Sequence, residues 1–312
     1  MDRCLYCLAL AIVKLLQWFP LRTVARLGRV GGALAYWLDL RHRRVALRNL
    51  QRCFGAERSP AQLRALAREN FRRIGENYCS AVKTAAMTWP QLQPHCQFVG
   101  AEKMLGHGST DSGGNVVGAI GHFGNFELYA RWSQHVPTVQ CATTYRGLPH
   151  PALDRLLHSL RIRSGCLFFE RRTQVAELKA AMSRSGLFLG LLADQHAGRG
   201  GALIPFFGHL CSTSIAPAVF ALRYRCPLFT VICYRVALAQ WRIEVGDEIP
   251  TRHHGRSRPV TDITRDINRA FEAAIRRDPA NWFWVHNRWK TSRSRPSPDP
   301  EPAHPTSAQP AT

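Results

Sequence analysis

Acid is what this chain is short of. Its 312 residues hold 21 Asp and Glu against 42 Lys and Arg, a formal charge of +21. A surplus of that size demands an anionic partner: nucleic acid, a membrane surface, an acidic protein or a phosphorylated substrate. Long clean apolar runs are also missing. The best candidate, residues 4–13 continuing past Lys14 to residues 15–19, falls short of the ~20 apolar residues that span a bilayer, and Lys14 interrupts it. It lacks a convincing small-residue cleavage site, which argues against a removable signal peptide. No disulfide framework is evident among the ten cysteines. Cys4 and Cys7 form a lone C-x-x-C with no second ligand pair, and the rest are scattered among apolar neighbours. Reduced, mostly buried thiols and no zinc site are therefore expected. Zinc-finger spacing, an aromatic RNA-recognition signature and a recognition helix are all lacking, which disfavours nucleic acid as the anionic partner.

What is present begins at the N-terminus. Residues 1–52 contain ten Arg or Lys, from Arg3 to Arg52, and only two acids, Asp2 and Asp39. An apolar segment ending in Trp18-Phe19 and followed by arginines fits an uncleaved anchor that inserts into or lies on a membrane, with Trp18 at headgroup depth and the arginines on anionic lipid. Basic residues crowd its C-terminal side, so the globular part is expected to face the cytoplasm. The division expected is an anchoring helical segment over residues 1–40, a catalytic domain over 41–290, and a disordered tail over 291–312, where prolines recur among Ser and Thr. The 46% hydrophobic content suffices for one substantial core.

Periodicity supplies the elements. Leu63, Leu66, Phe71, Ile74, Tyr78 and Val82 have helical spacing and predict an amphipathic helix over 60–87. Strands are expected at 116–120, 138–144, 187–193, 228–234 and 240–245. Helices are expected at 151–161, 174–183, 215–224 and 263–277. This alternation implies an α/β fold with a mixed, largely parallel central sheet covered by helices, plus the membrane-associated N-terminal helix. Sites in such sheets form at the carboxyl ends of strands. His122, Arg146 and Asp194 each follow a predicted strand, so one crevice would collect them.

The most informative stretch is 115–127, an apolar strand running into Gly121-His122-Phe123-Gly124-Asn125-Phe126-Glu127. Of the 13 histidines only His122 has an acid at the fifth following position. On a continuous helix five residues rotate by ~500°, leaving the two side chains ~140° apart. The pair makes sense only with His122 in a turn and Glu127 in the first turn of a following helix, for which Asn125 is a suitable N-cap. Glu127 would then fix one imidazole nitrogen, and the other would serve as a general base.

Taken together the chain resembles the late acyltransferases of lipid A biosynthesis, the lauroyl/myristoyl transferase family. The blocks that carry the likeness are Gly121–Glu127, Tyr145-Arg146 with Leu160-Arg161-Ile162-Arg163, Ala193-Asp194-Gln195 with Pro205-Phe206-Phe207-Gly208, and Pro279-x-x-Trp282-x-Trp284-x-His286-x-Arg288-Trp289-Lys290. An early block around Asn49-Leu50 also fits. The resemblance implies direct transfer of a fatty acyl group from acyl carrier protein, or coenzyme A, to a hydroxyl of a lipid A precursor at the inner membrane. His122 would be the base and Glu127 its partner, with no covalent intermediate. Arg146, Arg161 and Asp194 would bind substrate, with Arg163 the fallback for Arg161. Asp194 would orient Arg161 or a sugar hydroxyl. Phe206-Phe207 and Trp282-Phe283-Trp284 would offer apolar surface to an acyl chain, and Arg288 and Lys290 would meet an anionic carrier or headgroup. No tightly bound cofactor or metal is implied. The partners would be acidic acyl carrier protein, anionic membrane lipid and a phosphorylated glycolipid, with no nucleic acid. Alternatives left open are another glycolipid or lysophospholipid acceptor, hydrolysis by the same dyad, and a basic nucleic-acid-binding protein.

Overall fold

Val-Val-Gly-Ala-Ile at β2 (Val116–Ile120) and Leu-Phe-Leu-Gly-Leu-Leu at β5 (Leu187–Leu192) are unbroken apolar runs, the pattern of strands covered on both faces. They lie at the middle of the sheet. The computed structural model describes residues 2–105, 114–184 and 186–290; the tail expected at 291–312 lies outside the described residues. Four helices lead the chain: α1 (Asp2–Trp18), α2 (Leu21–Leu38), α3 (Leu40–Phe54) and α4 (Pro60–Thr84). They are followed by α5 (Trp89–Leu92), β1 (Cys96–Val99) and α6 (Ala101–Leu105). After β2 come α7 (Trp132–His135), β3 (Gln140–Tyr145), α8 (Pro151–Arg161), β4 (Leu167–Glu170), α9 (Val175–Met182) and β5. A hairpin, β6 (Ala202–Phe206) and β7 (His209–Thr213), precedes α10 (Ala216–Tyr224), β8 (Leu228–Ala237), β9 (Gln240–Glu248) and α11 (Val260–Arg277).

The seven-stranded sheet runs β1-β9-β8-β2-β5-β3-β4, and every neighbouring pair is parallel except β8 with β9. Alternate side chains feed two cores, as the strand period dictates. Val117 and Ala119 pack with Leu50, Phe71 and Phe271 from α3, α4 and α11. Val116 and Ile120 pack on the other face with Leu128, Trp132 and Trp241. The mixed, largely parallel sheet is thus as expected. The sequence pattern missed β1, β4 and the β6–β7 hairpin, all edge or peripheral strands.

Helix α4 starts where its chemistry says it should: Ser59 and Gln62 form a reciprocal capping box, with Pro60 in the first turn. Helix α2 lies against it at backbone contact. A methyl on Gly75 would stand 2.1 Å from the Gly28 carbonyl oxygen, and one on Gly32 would stand 2.1 Å from that of Phe71. Arg29 of α2 reaches Glu69 at 2.9 Å and the fully buried Glu76 at 3.2 Å, and Glu76 also takes Arg235 Nε at 2.8 Å. Residues 21–38 are therefore packed into the body of the protein. Among the described residues no helix is long and apolar enough to cross a membrane. What α1 and α2 do present is apolar surface. Leu5, Leu8, Ile12, Leu15 and Trp18 are exposed on α1, and Leu27, Val30, Leu34 and Trp37 on α2, each set at helical spacing of three and four.

Beyond α11 the chain becomes a strap threaded between helices and sheet. Two buried asparagines hold it by its carbonyls: Asn70 donates to Ala280 and Trp282, and Asn49 donates to Trp284 and His286. Phe206 and Trp284 are core residues, and Arg288 is fully buried, donating to the Ser212 carbonyl and the Thr213 hydroxyl. The expected exposure of these aromatics to an acyl chain, and of Arg288 to an anionic partner, is thus corrected. The tryptophan-rich signature builds the core and leaves Phe283 to reach the groove beside His122.

Candidate active site

His122 sits one residue beyond Gly121 at the carboxyl end of β2, in a turn pinned from three sides. The Phe123 amide donates back to Gly121, Gly124 donates to the Asn281 carbonyl, and Phe123 makes a bridge with Trp282 of the strap. Gly124 has φ +51, and a Cβ there would stand 2.6 Å from the Cys233 carbonyl oxygen, so both backbone shape and space call for glycine. The segment after it is a 3₁₀ helix, Phe126–Arg131, in place of the expected α-helix. Asn125 does not cap it, because its side chain points into the interior with neither amide atom hydrogen-bonded among the described residues.

The acid that holds the imidazole is Asp194. It follows β5, the neighbour of β2, so 72 residues of sequence close to one strand spacing. His122 Nδ1 lies 2.8 Å from Asp194 Oδ1, and the His122 backbone amide donates to Oδ2 at 2.9 Å. Trp282 Nε1 donates to the same Oδ2 at 2.8 Å. Burial opposes the charge on this enclosed carboxyl. The facing imidazole, the two His122 hydrogen bonds and the indole outweigh it and keep the carboxyl below its usual range. An ionised Asp194 accepts, so Nδ1 carries the ring proton. Nε2 is left with a lone pair and no protein partner among the described residues.

Glu127 is not that partner. Its carboxylate takes a two-pronged pair from Arg161, Nε at 3.0 Å and the terminal nitrogen at 2.5 Å. Burial works against the guanidinium charge, but the hydrogen bond and charge of Glu127 prevail and raise the Arg161 pKa. The expectations that Glu127 fixes the imidazole and that Asp194 orients Arg161 are both corrected: the two acids have exchanged roles. The cause is topology. A 3₁₀ turn after Asn125 aims Glu127 at α8, while β5 delivers Asp194 directly beneath the ring.

A cleft of about 580 Å³ opens in front of the imidazole at the carboxyl edge of the sheet. His122, Glu127, Arg146 and Arg161 line it, whereas Asp194 lies behind His122. Arg163 is exposed in the turn after α8 and is not part of the lining. Phe126 and Phe283 flank the imidazole, their ring centres 4.8 and 5.9 Å from it. The Glu127–Arg161 pair also walls a second, largely apolar cavity of about 240 Å³ between α4 and α8, lined by Ala81, Ala85, Leu128, Leu157 and Leu160 among others. A second histidine enters from the strap. His286 Nε2 accepts the His196 amide at 3.1 Å, and burial, reinforced by nearby positive charge and only partly offset by Asp194, lowers its pKa to about 4. It is thus a neutral prop for the 195–200 loop. Among the described residues no group of three or more His, Cys, Asp or Glu is arranged to hold a metal ion.

Comparison with known proteins points to one family. Residues 2–291 match the family model described as bacterial lipid A biosynthesis acyltransferase. The chain is 25% identical over 288 residues to the lipid A biosynthesis palmitoleoyltransferase of Escherichia coli K12, covering 90% of each chain. It is equally similar to a lipid A biosynthesis acyltransferase of Shigella flexneri. It is 24% identical over 292 residues to the E. coli K12 lipid A biosynthesis lauroyltransferase, covering 91% of this chain and 90% of that one.

Proposed function

The chain belongs to the bacterial lipid A biosynthesis acyltransferase family and is an acyltransferase; from that premise we propose that His122 is the general base for transfer of a fatty acyl group from a thioester donor to a hydroxyl of a lipid A precursor. The observation that carries this reading is the Asp194-held imidazole at the floor of the 580 Å³ cleft. Nε2 takes the proton of the acceptor hydroxyl as its oxygen attacks the thioester carbonyl. The tetrahedral intermediate collapses by breaking the C–S bond, and the imidazolium returns its proton to the departing thiolate. The acyl group passes directly, with no enzyme-bound ester. The apolar cavity between α4 and α8 suits the hydrocarbon chain, and the Arg161 nitrogen not engaged by Glu127 can face developing negative charge on the carbonyl oxygen. Glu127 acts in this scheme through Arg161, which it holds in place.

The donor is acyl carrier protein or coenzyme A, both anionic and both suited to a chain of formal charge +21. The apolar faces of α1 and α2, next to exposed Arg41, Arg44, Arg48 and Arg52 spaced along one side of α3, support seating on an anionic membrane with the catalytic domain on the cytoplasmic side of the inner membrane. Leu8→Asn with Leu15→Asn is expected to weaken binding to anionic vesicles by at least about tenfold, since each buried leucine contributes ~1.5–3 kcal/mol. Unchanged co-sedimentation would remove the interfacial role of α1.

The transfer reading is tested by mass spectrometry of purified reactions. His122→Ala is expected to lower product formation by at least about 10², as is Glu127→Ala through the Arg161 charge it positions. Because Glu127 works through Arg161, the double variant Glu127→Ala/Arg161→Ala should be no slower than the slower single variant. Near-normal turnover in folded His122→Ala would overturn the mechanism, and release of free fatty acid without a heavier lipid would make the protein a hydrolase.

A further inference from the structure

The cleft has a second charged region that the chemistry at His122 leaves unused. Strands β3 and β4 are parallel and in register, Tyr145 opposite Glu170, and the Arg171 amide continues the ladder by donating to Tyr145 at 3.0 Å. The residues that follow, Arg146 and Arg171, therefore emerge side by side at the carboxyl edge, and both line the cleft. Neither guanidinium makes a hydrogen bond or ion pair among the described residues. Two acids, one at the end of β4 and one in α8, are already engaged by the backbone. Glu170 accepts from the amides of Arg172 and Thr173 and from the Thr173 hydroxyl, and Asp154 accepts from the Leu148 amide. Arg161, the third arginine of the cleft, is tied to Glu127. A single acceptor-rich anion can engage two guanidiniums at once with forked hydrogen bonds.

We propose that Arg146 and Arg171 form a phosphate clamp that anchors the phosphate ester of a substrate while its reacting end lies at His122. This rests on the acyl-transfer reading for the identity of the substrate and goes beyond it in assigning Arg171 and the ligand group. The strand order sets the reach. From β2 to β3 is two strand spacings and to β4 three, so the phosphorus lies on the order of 10–15 Å from the imidazole. Both the phosphopantetheine arm of a thioester donor and a sugar phosphate on the acceptor offer this chemistry, and the test separates them.

The experiment is ³¹P-NMR titration of the full chain with 4′-phosphopantetheine and, separately, with a glucosamine phosphate. Unphosphorylated pantetheine and glucosamine serve as competitors. The wild type is expected to bind at least one phosphorylated probe at least tenfold more tightly than its unphosphorylated counterpart, and that preference should fall below threefold in Arg146→Gln/Arg171→Gln. The probe that responds names the source. In transfer assays the same variant should raise KM for that substrate at least tenfold and change kcat less than threefold, the signature of lost uniform binding. Wild type without a phosphate preference, or a preference surviving in the folded double variant, overturns the clamp. Binding is read independently of turnover, so a wild type that binds phosphate but transfers no acyl group would count against the transfer reading alone.

Discussion

Asp194→Asn is expected to lower kcat by about 10³–10⁴ while leaving a folded protein. Donors and acceptors decide the outcome. Oδ2 accepts two N–H groups, the His122 amide and the Trp282 indole, and Oδ1 accepts the imidazole Nδ1–H. An asparagine has one acceptor and one donor end. Turning its NH₂ toward Oδ2's place would confront two buried donors with a third, so the amide oxygen must go there and the NH₂ must face Nδ1. An amide that donates to Nδ1 forces the ring proton onto Nε2, and the lone pair that deprotonates the alcohol is gone. Part of the stability lost with the Asp194 charge is offset, because the cost of burying that charge goes with it. Single-turnover rates with purified protein, beside near-ultraviolet circular dichroism for integrity, make the test. An Asp194→Asn protein retaining more than a tenth of wild-type kcat would show that Asp194 does not set the tautomer.

The exchange of Asp194 for Glu127 also marks how far sequence carries. Strands such as 116–120 and helices such as 151–161 are legible to the residue, because burial on both faces and 3.6-residue spacing leave strong periodic marks. His122 is legible because glycines bracket it at a strand end. The edge strand β4, only four residues long, and the β6–β7 hairpin leave no such mark. Nor can the partner of His122 be read, since local spacing favours an acid five residues away over one 72 residues away. The information needed is that β2 and β5 are neighbours, a fact of the whole sheet. The same holds for Trp282, whose indole reaches Asp194 from the strap 88 residues on, and for Arg171, which becomes a neighbour of Arg146 only once β3 and β4 pair. A local signal, then, locates the proposed base. The group that orients it, and the arginines proposed to hold substrate, come from strand order.

Gly75→Ala is expected to destabilise the protein by at least about 3 kcal/mol, against a neutral or slightly stabilising Gly31→Ala, although both replace a helical glycine on the same helix pair. A Cβ on Gly31 meets nothing within 4 Å, so its only effect is the helix propensity gained, up to ~1 kcal/mol. On Gly75 the Cβ would lie 2.1 Å from the Gly28 oxygen and 2.8 Å from the Gly32 nitrogen, both main-chain atoms of α2 that no rotamer change can move. The helices must separate, and the small-xxx-small packing of Gly28 and Gly32 is lost along with the dispersion contacts it brings. Separation also withdraws Arg29 from the fully buried Glu76, and a buried carboxylate deprived of a cation costs several kcal/mol, here softened because Arg235 and the Ala239 amide remain. Loss on this scale is a large share of the ~5–15 kcal/mol that holds a typical domain together, so a lowered yield of folded Gly75→Ala is part of the expectation. Urea unfolding of both variants measures it. Midpoints that agree within experimental scatter would mean that α2 tolerates a methyl's width of displacement, and that the N-terminal helices are docked by their ion pairs alone.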